Sequence, residues 1–212
     1  NPTGTTLSAF DLEKLQKIIT GTNIIVLSDE VYEHIIFDGF EHQSIARFPK
    51  LAERSFIVSS FGKTYHNTGW KVGYCTGPDV LMKEFRKVHQ FLVFCVNTPV
   101  QHALAEFMKR KDEYLVLGKF YQKKRDQFNL MLKESRFIIR PSNGTYFQLL
   151  DYSKITDEKE TDYAVRLTKE TGVASIPVSV FYQRKYENNV LRFCFAKSDE
   201  TLESTAEKLI KL

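Results

Sequence analysis

Ser60 and Lys63, in a Ser-x-x-Lys arrangement, and Lys71 eight residues later could hold one anionic ligand between hydroxyls and ammonium groups. Arg54 to Ser59 reads as a short buried strand that opens into a small, polar loop. Lys63 therefore lies just past a strand end, where α/β proteins place their ligands, and its amine is available for covalent work. A second polar cluster, Asp29-Glu30-Val31-Tyr32, ends the apolar run Asn23 to Ser28. Arg192, flanked by Leu191 and Phe193, would be costly to bury alone, so it calls for an anion, either a ligand or a carboxylate of this chain. Taken singly, each has a plainer reading: solvated loop lysines, a helix cap at Asp29, a structural ion pair at Arg192.

The elements that must position these residues follow from periodicity. Ser8 to Asp11 forms a capping box ahead of a helix with Leu12, Leu15, Ile18 and Ile19 on one face, stopped near Gly21. Asn23 to Ser28 reads as a buried parallel strand. Val72 to Thr76 is a further strand, and Pro78 opens a helix with Leu81, Phe85, Val88 and Leu92 at spacings of four, three and four. One helix is expected over 99–111 and one long helix over 112–135. From Arg136 the pattern changes to α+β: a hairpin turning at Ser142-Asn143-Gly144, a helix from Tyr163 to Thr171, strands over 173–177 and 190–195, and a last helix capped by Ser198. Helix, strand and polar strand end in succession describe a mainly parallel α/β sheet.

At 212 residues, with 42% hydrophobic and 26% charged residues, the chain can bury a sizeable core. Its 30 basic and 26 acidic residues are interleaved, so the net charge of +4 gives no support to nucleic-acid binding. No run approaches a membrane span, and the five histidines lack metal-ligand spacing. Cys75, Cys95 and Cys194 lie far apart in apolar runs and read as free buried thiols in a reducing, cytoplasmic setting.

Five motifs in order, Asn1-Pro2-Thr3-Gly4, Asp29-Glu30-Val31-Tyr32, Ser60-Phe61-Gly62-Lys63-Thr64, Thr68-Gly69-Trp70-Lys71-Val72-Gly73 and the late Arg192, resemble the class I/II pyridoxal-phosphate aminotransferases. The run from Gly62 to Tyr74 looks most like the methionine and kynurenine (glutamine-type) members. The resemblance implies fold type I: the C-terminal part of a large cofactor-binding domain with its interdomain helix over 1–111, and a small α+β domain over 112–212. It implies that Lys63 is the catalytic lysine that holds the cofactor covalently, and that Asp29 keeps the pyridine nitrogen protonated. By the same resemblance Asn1 and Tyr32 serve the ring oxygen, Ser60 and Lys71 the phosphate, and Arg192 the substrate carboxylate. Lys71 stands where many relatives have arginine; lysine keeps the charge but loses the bidentate fork. These residues are expected to converge on one crevice, with Arg192 supplied by the second domain.

The implied activity is transamination of a methionine-like, aromatic or glutamine-like amino acid to its 2-oxo acid, in a homodimer with no nucleic-acid or membrane partner. The same lysine and ring serve C–S β-lyases, and a non-catalytic relative of the fold is the other alternative. A penicillin-binding use of Ser-x-x-Lys lacks its Ser-Asp-Asn and Lys-Thr-Gly partners. The opening Asn1-Pro2-Thr3-Gly4 matches a turn found mid-chain in these aminotransferases, so the sequence reads as roughly the second half of a longer protein.

Overall fold

Ser8 caps helix α1 (Ala9–Ile19) as its spacing predicts: its hydroxyl accepts from the Asp11 N–H, and the Asp11 carboxylate accepts from the Ser8 N–H at 2.9 Å. The computed structural model describes every residue except Lys185 and Glu187. Strand β1 (Val26–Asp29) follows, then a turn, a 3₁₀ turn (Ile45–Arg47) and the short α2 (Pro49–Ala52). Leu12, Ile19, Ile45 and Leu51 form a buried cluster against which Leu15, Val26, Phe48 and Ile57 pack. The chain continues through β2 (Ser55–Ser60), the single turn α3 (Phe61–Thr64), β3 (Gly73–Thr76), α4 (Asp79–Leu92), α5 (Thr98–Phe107) and α6 (Asp112–Leu115). The sheet runs β1-β2-β3, with β1 parallel and β3 antiparallel to β2. Residues Leu7–His34 and Glu41–Leu117 make up this compact unit.

Several expectations are corrected here. The run before Asp29 is a parallel strand but not a buried one: Ile24, Ile25 and Leu27 are 52%, 55% and 71% exposed, because β1 is an edge of its sheet and its apolar face carries no covering layer among the described residues. On α4 the same holds for Val88 and Leu92, which are exposed, while Met82 is buried. The long helix expected over 112–135 is broken at Val116 into α6 and α7 (Leu117–Met131), where a β-branched residue and Gly118 together weaken helix propensity. All three cysteines are free as expected, but none is buried: Cys75 and Cys194 are half-buried and Cys95 is exposed.

The other compact unit comprises Asn1–Thr6, Ile35–Phe40 and Gly118–Leu212. After α7 come β4 (Ile138–Arg140), β5 (Phe147–Asp151), α8 (Glu160–Thr171), β6 (Ile176–Pro177), β7 (Val190–Cys194) and α9 (Asp199–Ile210). The four strands form an antiparallel sheet ordered β4-β5-β7-β6. The hairpin turn expected at Ser142-Asn143-Gly144 is present and serves as a docking point. Asn143 N–H donates to the Gly4 carbonyl at 2.8 Å, Phe37 N–H to the Asn143 carbonyl at 2.9 Å, and Thr145 N–H to the Ile35 carbonyl at 3.0 Å. Gly4, at φ +75°, lies so close that a Cβ would sit 2.5 Å from the Ser142 Cβ. Ser198 caps α9 through the Thr201 N–H.

Candidate active site

Lys63 is presented by α3, the single helical turn that begins where β2 ends. Ser60 is the cap of that turn: its hydroxyl accepts from the Gly62 N–H at 3.2 Å. Ser60, Lys63, Thr68, Lys71, Val72 and Gly73 line a cavity of about 260 Å³. No acidic residue lines it, and among the described residues neither lysine ammonium has a hydrogen bond or ion pair. Lys71 has the left-handed backbone, φ +56°, unusual for a side chain with a Cβ. The backbone approach is close: Gly73 pairs with Ser60 across β2 and β3, and a Cβ on Gly73 would lie 2.5 Å from the Ser59 carbonyl oxygen.

Asp29 ends β1 in register with Val58, so it stands at the neighbouring strand end to Ser60. It is exposed, and its Oδ1 accepts from the Val31 N–H at 3.1 Å, a turn-capping contact. Tyr32 lies half-buried in the same turn. Neither residue is among those lining the Lys63 cavity. Thus Ser60, Lys63 and Lys71 are brought together, while Asp29 and Tyr32 occupy the adjoining strand end.

The two residues after Tyr32 and the buried Glu30 build a polar scaffold that motif reading did not find. Glu33 Oε1 accepts from Ser59 Oγ at 3.0 Å and from the Tyr74 hydroxyl at 2.8 Å, tying the β1 turn to β2 and β3. The Tyr74 hydroxyl is pushed up to about 12, chiefly by burial and further by the Glu33 carboxylate. Glu30 is 7% exposed and accepts from the Ile45 N–H at 2.9 Å, beside His42 Nε2 at 2.8 Å. Burial works to raise its pKa, but hydrogen bonds from His42, Ile45 and Ser44 outweigh it, so the carboxyl lies below its ordinary value. His34 is lowered, first by burial, against the pull of Glu33. Beside α3 lies a second cavity, about 450 Å³, with Phe61, Tyr65, Tyr74 and Tyr114 among its walls. No local signal marked the contacts that Glu33 makes with Ser59 and Tyr74, because they join residues far apart in the chain.

In the other unit Arg192 lies on β7, half-buried between the buried Leu191 and Phe193. Its guanidinium carbon is 4.0 Å from the Phe147 ring centre and 5.1 Å from that of Phe181. Arg192 Nη1 donates to Asn1 Oδ1 at 2.5 Å. Asn1 and Arg192, assigned separate ligand groups by sequence, therefore stand side by side, and the Asn1 amide can donate to whatever the guanidinium holds.

A parallel strand pair delivering a lysine on a one-turn helix, and a separate antiparallel sheet presenting an arginine, define an α/β transferase fold of type I. The chain belongs to the aminotransferase class I and II family, whose model matches residues 1–209. It is 48% identical over its whole length to the methionine aminotransferase of Escherichia coli K12, of which it covers 55%. It is 36% identical over its whole length to a kynurenine–oxoglutarate transaminase of Dictyostelium discoideum, covering 54% of that protein. Among solved structures, an E. coli methionine aminotransferase superposes on all of it with a TM-score of 0.97, and a Mycobacterium tuberculosis N-succinyldiaminopimelate aminotransferase with 0.94 at 35% identity; the chain covers 56% of each. The chain thus spans about half the length of the relatives it matches. Members of this family depend on pyridoxal phosphate, and the acid-free cavity edged by two lysines and two hydroxyl groups fits that cofactor's dianionic phosphate. Among the described residues there is no metal-binding cluster of His, Cys, Asp and Glu, and no helix long and apolar enough to cross a membrane.

Proposed function

We propose that the chain contributes the cofactor lysine and the substrate-carboxylate arginine of a pyridoxal-phosphate aminotransferase acting on a methionine-like, aromatic or glutamine-like amino acid. The observation that carries this reading is the convergence of Ser60, Lys63 and Lys71 on one cavity without acids, within a chain matched by the family over residues 1–209. Ser60 and Lys71 hold the phosphate by charge-assisted hydrogen bonds. Asp29 holds the pyridine nitrogen in its protonated form by opposing charge, and Tyr32 and Asn1 donate toward the ring oxygen. When bound, the cofactor supplies the electron sink that lets an amino acid lose its Cα proton. Lys63 Nζ would hold the cofactor covalently and would serve as the general acid/base that moves the Cα proton. Arg192, with Asn1 beside it, orients the substrate by its carboxylate. The cofactor-binding part over 1–111, the small domain over 112–212, a homodimer and a cytoplasmic setting complete the proposal.

The test uses the whole protein. Borohydride reduction followed by peptide mass analysis should place the reduced cofactor on the Lys63 peptide, and Lys63→Ala should abolish both that adduct and turnover. An adduct on another lysine, or an active Lys63→Ala protein, would overturn the assignment.

A further inference from the structure

We propose that Glu160 is a positioning residue for the Arg192 carboxylate clamp, acting through Phe181; the inference rests on the reading of Arg192 given above. Glu160 opens α8 and is fully buried. Its Oε2 accepts from the Ser179 N–H at 2.6 Å, and its Oε1 from the N–H groups of Asn188 at 2.9 Å and Val190 at 3.2 Å. One carboxylate thus ties the Val178–Phe181 turn to the first residue of β7. Phe181 lies just beyond Ser179, and Arg192 just beyond Val190, so both partners of the ring–guanidinium contact hang from backbone that Glu160 fixes.

The two rings over Arg192 are held differently. Phe147 is part of the sheet, paired with Cys194 on β7, so its place at 4.0 Å is set by strand register. Phe181 is outside the sheet and 48% exposed, so packing alone does little to hold it at 5.1 Å. The β6 pairing ends at Pro177, opposite Leu191, and the Glu160 contact to Ser179 carries the restraint beyond it. The guanidinium lies against both rings, and its Nη1 donates to the Asn1 amide oxygen. Removing the tie frees one of the two rings and lets the guanidinium plane tilt from the orientation that the pair sets.

Glu160→Gln keeps the shape but turns one acceptor oxygen into a donor that faces a backbone N–H. In the whole protein with cofactor bound, the probe is 3-phenylpropanoate, a carboxylate with no amine to react, titrated alongside KM and kcat for methionine. Its Kd and the KM should each rise about fivefold, the scale of one partly exposed cation–π contact, with kcat within about twofold. Phe181→Leu should give the same rise, and the double variant no further one. A lowered Tm in Glu160→Gln with unchanged Kd would make the residue merely structural, and an unchanged Kd in Phe181→Leu would also overturn the proposal. Arg192→Lys separates the two readings. If it weakens 3-phenylpropanoate while Glu160→Gln does not, the clamp stands and the positioning role fails; if it does not, the clamp itself is wrong.

Discussion

Arg125 is 4% exposed, yet all three nitrogens of its guanidinium donate hydrogen bonds. It grips Asp38 with two hydrogen bonds of 2.6 and 2.7 Å, donates to Asp126 and to the Ser142 carbonyl, and lies 4.9 Å over the Phe37 ring. The side chain therefore stitches the Ile35–Phe40 segment to the hairpin turn on which the Asn1–Gly4 turn docks. The Arg125 hydrogen bond holds the Asp38 carboxyl below its ordinary value, against the raising effect of burial. A depressed carboxyl contributes stability at pH above its unfolded value, and loses it as pH falls through the folded one. Asp38 is 39% exposed, so solvent screens the pair and its worth is modest. Asp38→Asn should cost about 1 kcal/mol at neutral pH. The gap from the parent protein should close as pH drops below about 4, the ordinary aspartate range. Thermal melts of both proteins from pH 7 to pH 3 check this; a gap that persists at low pH would show that charge is not the cause.

At the scale of elements, the pairing of β2 with β3 decides where the lysines stand. Ser60 faces Gly73 in register, and the strands approach so closely that a Cβ at Gly73 would meet the Ser59 carbonyl at 2.5 Å. Neither partner is a flexible side-chain tip, so the backbone itself must move. Gly73→Ala should lower stability by about 1–3 kcal/mol, the range for overpacked sites, and weaken cofactor binding by moving Lys71 away from Ser60. Cofactor titration beside a denaturant melt would read both; a normal affinity would show that the spacing is not what holds the phosphate site. Much at this scale was legible from local signals. The Ser8–Asp11 box, the turn at Ser142-Asn143-Gly144 and the Ser198 cap each rest on contacts between near neighbours in sequence. The motifs that led to Ser60, Lys63 and Lys71 were legible for the same reason. What escaped depends on distant partners. An apolar run such as Ile24 to Leu27 does not reveal whether a layer covers it, and the Glu160 tie reaches as far as Val190. The ring pair on Arg192 likewise joins residues from β5 and from the turn after β6.

For the molecule as a whole, exposed apolar surface is the feature with the largest consequence. Ile24 and Ile25, just before the edge strand β1, and Leu27 on it are more than half exposed, and the outer backbone groups of β1 have no strand partner among the described residues. At the end of α4, Phe91, Leu92 and Phe94 are 85%, 78% and 79% exposed. Single exposed leucines are ordinary, but clusters of this kind, and a free edge beside one of them, drive association. Residues 1–212 should therefore self-associate in the micromolar range. Charged residues protect edges by making strand addition and apolar contact costly, so Leu27→Lys combined with Phe91→Lys should shift the population toward monomer without loss of helix signal. Sedimentation velocity over a concentration series, with circular dichroism alongside, makes the comparison. A 212-residue protein that stays monomeric across the series would overturn the expectation. Association unchanged by the two lysines would place the sticky surface elsewhere.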